Sequence, residues 1–203
     1  MKKIFKAILA ISIIGAMALG FAACGGNGGS DAIAVISREE GSGTRGAFVE
    51  LTGVEVDKVD KTVATAEISS STAVVMQTVA GNKAAIGYIS LGSLDNTVKA
   101  VKVDGVEAPA DNVKNGTYPI CRPFNIATKG DLSDAAKDFI AFIQSDEGQQ
   151  VITDKGCVST GSTGAFTSGN PTGTVVVEGS SSVTPVMEKL SEAYMAINSG
   201  VTV

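Results

Sequence analysis

Two segments of the 203-residue chain share one design: a short apolar run, a loop of glycine and hydroxyl residues, and then the start of a helix. They lie at 32–51 and 174–194. Short β-branched apolar runs are typical of buried strands, and serine or threonine before a helix caps its free N–H groups. Because strands and helices that alternate along a chain pack as separate layers, this pattern predicts an α/β fold.

The loop of the first segment, 37–46, contains Arg38 and Arg45, two of the three arginines in the chain. Its glycines let a ligand approach the backbone, and the free N–H groups of the following helix start attract anions. A guanidinium holds a tetrahedral oxyanion by two hydrogen bonds, so we predict an oxyanion-binding loop. The Gly/Ser loop of the second segment, 179–182, is predicted to face it from the opposite side. The alternative is that each loop only caps a helix.

Several function classes are disfavoured by what the sequence lacks. The chain has no histidine, which excludes histidine-based triads, general bases and metal sites. If Ser42 were a nucleophile, no histidine would be present to act as its base. The sequence also contains no Walker-type phosphate loop. The formal net charge of −5 does not attract nucleic acid. We predict a protein that is not an enzyme and that binds no cofactor, metal or nucleic acid.

The N-terminal segment is predicted to be an export signal rather than part of the fold. Residues 1–23 begin with lysines and continue as an uncharged apolar run that ends at Cys24. The small residues before this cysteine resemble a bacterial lipoprotein cleavage site, which would make Cys24 the lipidated mature N-terminus. Residues 24–30 would then be a flexible tether. The alternative is an ordinary signal peptide followed by a chance cysteine.

The remaining pattern predicts further helices and strands around these two segments. Helices are predicted over 73–80, 133–143 and 145–156, and strands over 62–68, 84–90 and 124–127. The helix over 133–143 is expected to bury the face formed by Ala136, Phe139, Ile140 and Ile143. The Ser/Thr/Gly-rich segment 158–173 is predicted to be a surface linker.

Two cysteines lie within the predicted fold, Cys121 and Cys157. They are far apart in sequence and form no CxxC motif. A disulfide is possible outside the cell, but two cysteines do not define a disulfide framework. We favour free, buried thiols.

Residues 37–48 resemble the signature loop of the phosphate-binding lipoproteins of ABC-type phosphate importers, the PstS family. The same family is matched by four other stretches: 85–92, 122–124, 146–149 and 179–185. Together these matches span nearly all of residues 31–203. The resemblance implies a periplasmic-binding-protein-like (type II) fold of two α/β lobes, with phosphate buried in the cleft between them. Residues 31–120 would form part of one lobe and 121–203 part of the other.

The resemblance also implies roles for individual residues. Four residues of the first loop, Arg38, Ser42, Gly43 and Thr44, would bind phosphate from one lobe. Ser181 and Ser182 would bind it from the other lobe. Glu40 is expected to pair with Arg38 and hold its guanidinium in place, whereas Arg45 lies outside the family's binding set.

The order of the two loops departs from the usual order in the family and indicates a circular permutation, joined through the linker at 158–173. In the family, a further stretch follows the strand that corresponds to 201–203. It carries another phosphate-binding serine and an aspartate that accepts the proton of hydrogen phosphate. We can assign neither residue here, so the chain is expected to be partial and its choice between phosphate and sulfate is not defined by the sequence.

The implied function is capture of inorganic phosphate by an exported, monomeric lipoprotein on the outer face of the bacterial cell membrane. The lipid on Cys24 would anchor it, and its partner would be an ABC permease. One alternative is a binder of sulfate or another tetrahedral oxyanion. A second is a surface or scaffold protein that kept the fold and lost the ligand.

Overall fold

The computed structural model of the chain describes residues 32–108 and 110–203. The predicted export signal, the tether and Cys24 lie outside these residues. Residues Ile33–Val203 belong to one compact unit, so the two predicted loops are part of the same body of structure. Within the described ranges, every helix is too short or too polar to cross a membrane.

The structure alternates short strands and helices, as the α/β prediction requires. In chain order the elements are β1 (Ala34–Arg38), α1 (Gly43–Leu51), β2 (Glu55–Val56), β3 (Val59–Asp60), β4 (Glu67–Ser69), α2 (Thr72–Gly81), β5 (Ala85–Ile86), a 3-10 turn (Leu91–Ser93), α3 (Ala110–Lys114), α4 (Asp134–Gln144), α5 (Asp146–Asp154), β6 (Gly173–Thr174), α6 (Thr184–Ile197) and β7 (Val201–Thr202).

Strand β1 is the centre of a three-stranded parallel sheet with the order β4-β1-β5. Its register places Arg38 opposite Ser69 of β4 and Ala34 opposite Ala85 of β5. Parallel neighbours need crossover connections, which here contain α1 and α2. Because the carboxyl ends of parallel strands lie at one edge, the loop after β1 and the start of α2 emerge side by side.

The larger apolar core lies among α4, α5 and α6. Helix α6 buries Val186, Leu190 and Tyr194, the stripe that the 3.6-residue period predicts. Tyr194 is fully buried and packs against Phe139, with ring centroids 5.0 Å apart. Aromatic pairs of this kind add about 0.5–1.5 kcal/mol beyond the area they bury. This core fixes the helix that follows the second predicted loop.

The helices over 133–143 and 145–156 are confirmed, with a correction to the buried face of the first. Ser133 caps α4 by accepting the N–H of Ala136, as N-cap serines do. The buried residues of α4 are Ala135, Phe139, Phe142 and Ile143. The apolar face is therefore rotated toward Ala135 and Phe142, because α6 and Phe166 pack on that side.

The strand predicted over 124–127 is wrong. That segment has no strand partner among the described residues, and Phe124 and Ile126 are half exposed. A strand forms only when its N–H and C=O groups find a neighbouring strand, and an apolar run alone does not supply one.

Both described cysteines have free thiols. Cys157 is half-buried, and this burial raises the pKa of its thiol. Cys121 is exposed, so the expectation of a buried thiol is wrong at that position.

The β2–β3 hairpin carries backbone strain, because its two turn residues, Asp57 and Lys58, have φ values of 51° and 62°. Such turns favour glycine, since a left-handed conformation costs most other residues roughly 1–2 kcal/mol. We expect Lys58→Gly to stabilise the protein by about 0.5–1 kcal/mol in urea unfolding. Lys61→Gly, at an exposed position without positive φ, is the control and should destabilise it. Equal destabilisation by both changes would contradict the strain argument.

Candidate functional site

Three helix N-termini converge on one place in the structure. They are the starts of α1, α2 and α6, and each brings a hydroxyl side chain with it. Thr72 Oγ1 at the start of α2 lies 3.3 Å from the Oγ atoms of both Ser181 and Ser182, which precede α6. Thr44 of α1 is hydrogen-bonded through its hydroxyl to that of Ser182. The first N–H groups of a helix have no partner within it, so this region carries partial positive charge.

Arg38 is the central side chain of this cluster and is only 1% exposed. Its Nη1 donates to Thr72 Oγ1 at 3.1 Å and to Ser182 Oγ at 3.4 Å. Its Nη2 donates to Ser181 Oγ at 3.0 Å. On the other edge, Nε and Nη2 donate to the two oxygens of Glu39 at 2.8 and 2.9 Å. All five guanidinium N–H groups therefore have an acceptor, which a buried cation requires.

The pairing expected of Glu40 belongs instead to Glu39. The backbone N–H of Glu39 continues the pairing of β1 with β4 by donating to the carbonyl of Ser69 at 3.1 Å. Its side chain thus stays beside Arg38. Glu40 lies in the following turn, where Gly41 has a φ of 82°, and is exposed to solvent. The hydrogen bonds from Arg38 hold the pKa of the Glu39 carboxyl below its ordinary value, so that it is ionised at neutral pH.

A cavity of about 600 Å³ opens over this cluster. Its lining comes from both predicted loops and from the start of α2, and consists of Glu39, Gly41, Ser42, Gly43, Ser70, Gly179, Ser180 and Ser181. Among the predicted ligand residues, Ser42, Gly43 and Ser181 line the cavity. Arg38, Thr44 and Ser182 join it through the hydrogen bonds described above. The structure therefore brings all six predicted ligand residues together.

The first loop offers several hydrogen-bond donors to the cavity. The Oγ atom of Ser42 caps α1 by accepting the N–H of Arg45 at 3.4 Å. Accepting this bond leaves the hydroxyl proton of Ser42 available to another acceptor. The amides of Gly43 and Thr44 belong to the first turn of α1, where N–H groups lack intrahelical partners.

Two residues that hold the site together are missing from the sequence prediction. Thr72 is 4% exposed and accepts a hydrogen bond from Arg38, although the sequence analysis predicts only that a helix begins beside it, over 73–80. Tyr88 accepts the backbone N–H of Arg38 at 3.1 Å, and its ring stacks on Phe48 with centroids 4.1 Å apart. The one sequence pattern that points to Thr72 as a site residue is a run of serine and threonine residues between a predicted strand and a predicted helix.

A further contact fixes the second loop. The hydroxyl of Ser90 donates to the backbone carbonyl of Ser182 at 2.9 Å. This bond joins the segment after β5 to the wall of the cavity. The second loop is therefore held by side chains from β1, from α2 and from the turn that follows β5.

The chemistry of the cluster is that of an anion-binding site. One buried cation, several serine and threonine hydroxyls and the starts of three helices lie together at one cavity, and Glu39 is part of the lining of that cavity. In residues 32–108 and 110–203, no three side chains of cysteine, aspartate and glutamate come close enough together to hold a metal ion.

The chain is similar to known proteins over most of its length. Residues 5–147 match the family model described as PBP superfamily domain. The chain is 48% identical over 210 residues to phosphate-binding protein PstS 2 of Streptococcus pneumoniae, an alignment that covers 98% of this chain and 72% of the relative. It is 45% identical over 213 residues to PstS 2 of Streptococcus agalactiae, which covers 100% of this chain and 72% of the relative.

Two solved structures are similar in fold. The phosphate-binding protein of a phosphate ABC transporter from Streptococcus pneumoniae superimposes with a TM-score of 0.66 at 50% identity, covering 84% of this chain and 68% of that one. A phosphate ABC transporter substrate-binding protein from Clostridium perfringens, solved with bound phosphate, gives a TM-score of 0.58 at 41% identity. It covers 63% of this chain and 52% of that one.

The predicted periplasmic-binding-protein-like fold is confirmed by the family model and by the structural neighbours. The chain belongs to the PstS family of phosphate-binding proteins, within the PBP superfamily.

Proposed function

We propose that this protein captures inorganic phosphate and delivers it to an ABC-type phosphate importer. The observation that carries the proposal is the position of Arg38: it is buried, and its guanidinium is hydrogen-bonded to hydroxyls from two other helix starts around one cavity. Relatives named as phosphate-binding proteins, and a structural neighbour solved with phosphate, support the same ligand.

The ligand would be held by local charge rather than by the charge of the whole protein. The formal net charge of the chain is −5, which repels anions at long range. The donors for an oxyanion are the hydroxyls of Ser42, Thr44, Ser181 and Ser182 and the N–H groups at the start of α1. The guanidinium of Arg38 would join them only where the anion replaces the threonine and serine hydroxyls that accept its hydrogen bonds in this structure. Donors spread over the end of β1 and two helix starts suit the four oxygens of a tetrahedral anion.

Glu39 favours phosphate over sulfate in this arrangement. Its ionised carboxylate lies in the lining of the cavity. A carboxylate accepts the proton that hydrogen phosphate carries at neutral pH, whereas it repels a fully ionised sulfate. Sulfate or another tetrahedral oxyanion is the second candidate ligand, because it has the same shape and could use the same donors.

The location and partners follow from the same proposal. We propose that residues 1–23 direct export, that a lipid on Cys24 anchors the protein to the outer face of the cell membrane, and that 24–30 is a tether. The protein acts as a monomer, is not an enzyme, and hands its ligand to a membrane permease. The match to the phosphate-binding protein of a phosphate ABC transporter supports the permease as partner.

Titration of the mature protein with phosphate and with sulfate by calorimetry tests the ligand. We expect phosphate to bind with one-to-one stoichiometry and sulfate to bind more than ~100-fold more weakly, since like charges placed together cost several kcal/mol. Equal affinities would replace phosphate by a general oxyanion as the ligand. Absence of heat with both anions would favour the scaffold alternative.

A Glu39→Gln variant is the internal control for selectivity. Glutamine keeps the length of the side chain and removes the negative charge, so sulfate binding should strengthen relative to phosphate. Glu40→Gln, at the neighbouring exposed position, should leave the ratio of the two affinities unchanged.

A further inference from the structure

Arg45 connects the first loop to a neighbouring hairpin, although it does not line the cavity. Its Nε donates to Asp60 Oδ2 at 2.7 Å, and its Nη1 donates to the backbone carbonyl of Arg38 at 2.8 Å. The side chain is 21% exposed, so much of it is shielded from water. One guanidinium thus joins the end of β3 to the residue at the centre of the site.

Asp60 is held rigidly on its side of this link. It ends β3 and pairs with Glu55 across the β2–β3 hairpin. Its Oδ1 accepts the backbone N–H of Thr62 at 2.7 Å and the hydroxyl of Thr62 at 2.6 Å, which leaves Oδ2 for Arg45. These hydrogen bonds, with the one from Arg45, lower the pKa of Asp60 to about 2, so the carboxylate is charged at all physiological pH values.

The backbone N–H and C=O of Arg38 need other hydrogen-bond partners because strand β5 ends before it reaches them. The N–H of Glu39 points to β4, so the N–H and C=O of Arg38 point to the opposite side, toward β5. Strand β5 is paired with β1 only at Ala34 and Val35. Beyond that point, side chains replace the missing strand: Tyr88 accepts the N–H of Arg38, and Arg45 donates to its carbonyl.

We infer that Arg45, braced by Asp60, is a positioning residue for anion binding: it fixes the peptide that joins Arg38 to Glu39. This inference rests on the proposed function. The orientation of that peptide sets the directions of both the guanidinium and the carboxylate at the cavity. The role requires two donors held at a fixed angle, which arginine has and lysine does not.

The test uses Arg45→Lys, Asp60→Asn and the double variant in the full chain, titrated with inorganic phosphate by calorimetry. We expect each single change to weaken binding about tenfold, and the double change to weaken it by less than the product, because both act through one network. Arg122→Lys is the matched control: Arg122 pairs with Glu50 of α1 at the exposed surface and should bind like wild type.

Amide hydrogen exchange of residues 37–46, measured without phosphate, separates positioning from general stability and from the proposed function. Faster exchange confined to this loop in Arg45→Lys, with Tm unchanged within about 2 °C, supports the inference even if wild-type protein binds no phosphate. Wild-type affinity and wild-type exchange in Arg45→Lys would overturn it, because charge alone would then suffice. A lower Tm with unchanged affinity would also overturn it, because the role would be structural only.

Discussion

Replacing Arg38 by lysine is expected to weaken phosphate binding by more than ~100-fold. The guanidinium is 1% exposed, and its five N–H groups serve Glu39, Thr72, Ser181 and Ser182 at once. A lysine ammonium has three donors on a flexible stem and cannot serve both edges of this arrangement. A hydrogen bond to a charged group contributes roughly 1.5–3 kcal/mol, so the loss of two such bonds is enough for an effect of this size. Calorimetric titration with phosphate measures the loss.

The control for this prediction is Arg122, the one arginine of the chain that lies outside the first loop. Arg122→Lys should bind phosphate as wild type does, since its pair with Glu50 is exposed. Circular dichroism and thermal unfolding of Arg38→Lys establish that the variant is folded. A folded Arg38→Lys protein with an affinity within about threefold of wild type would remove Arg38 from the centre of the site.

Replacing Gly148 by alanine is expected to destabilise the fold by about 3 kcal/mol or more. Gly148 lies in the first turn of α5, directly against the end of α4. An added Cβ would be 2.1 Å from the carbonyl oxygen of Phe142 and 2.8 Å from that of Ile143. Both contacts are with backbone, so no side chain can turn aside, and relief requires α5 to move away from α4. For a protein of this size we expect a fall in Tm of roughly 10 °C.

Gly81→Ala is the matched control for the second prediction. Gly81 also lies in a helix, an added Cβ there would meet no other atom within 4 Å, and its φ is not positive. Alanine at this position should stabilise the protein by about 0.5–1 kcal/mol because it lowers the entropy of the unfolded chain. Similar unfolding midpoints for the two variants would show that α4 and α5 are free to separate.

The parts of the fold that depend on local sequence could be predicted. Ser42, Ser133 and Ser145 each cap the helix that follows, because an N-cap bond joins residues only three apart. The buried stripe of α6 follows from the helical period. The meeting of the two Gly/Ser loops was also predictable, since each combines a strand end with a helix start, and such edges bind anions.

The remaining parts depend on contacts between distant residues. Thr72 reaches the site because β4 lies beside β1, and nothing near Thr72 in the sequence indicates that neighbour. The pairing of Arg38 with Glu39 rather than with Glu40 depends on how far the hydrogen bonding between β1 and β4 continues, and it continues to the bond from Glu39 N–H to the carbonyl of Ser69. The wrong strand prediction over 124–127 also reflects a dependence on distant residues. A β-strand needs a neighbouring strand to pair with, and the local sequence does not show whether one is present.

The contacts of Arg38 with Ser181 and Ser182 span 143 and 144 residues of sequence, which orders events during synthesis. Arg38 is synthesised early, whereas the second loop, 179–182, which completes the cavity, is synthesised only after most of the described residues. Closing such a long loop is entropically unfavourable, so this contact belongs to the late steps of folding. Capture of phosphate would therefore begin only once the second loop has been made and has folded against the first, and bound phosphate would in turn stabilise that closed state.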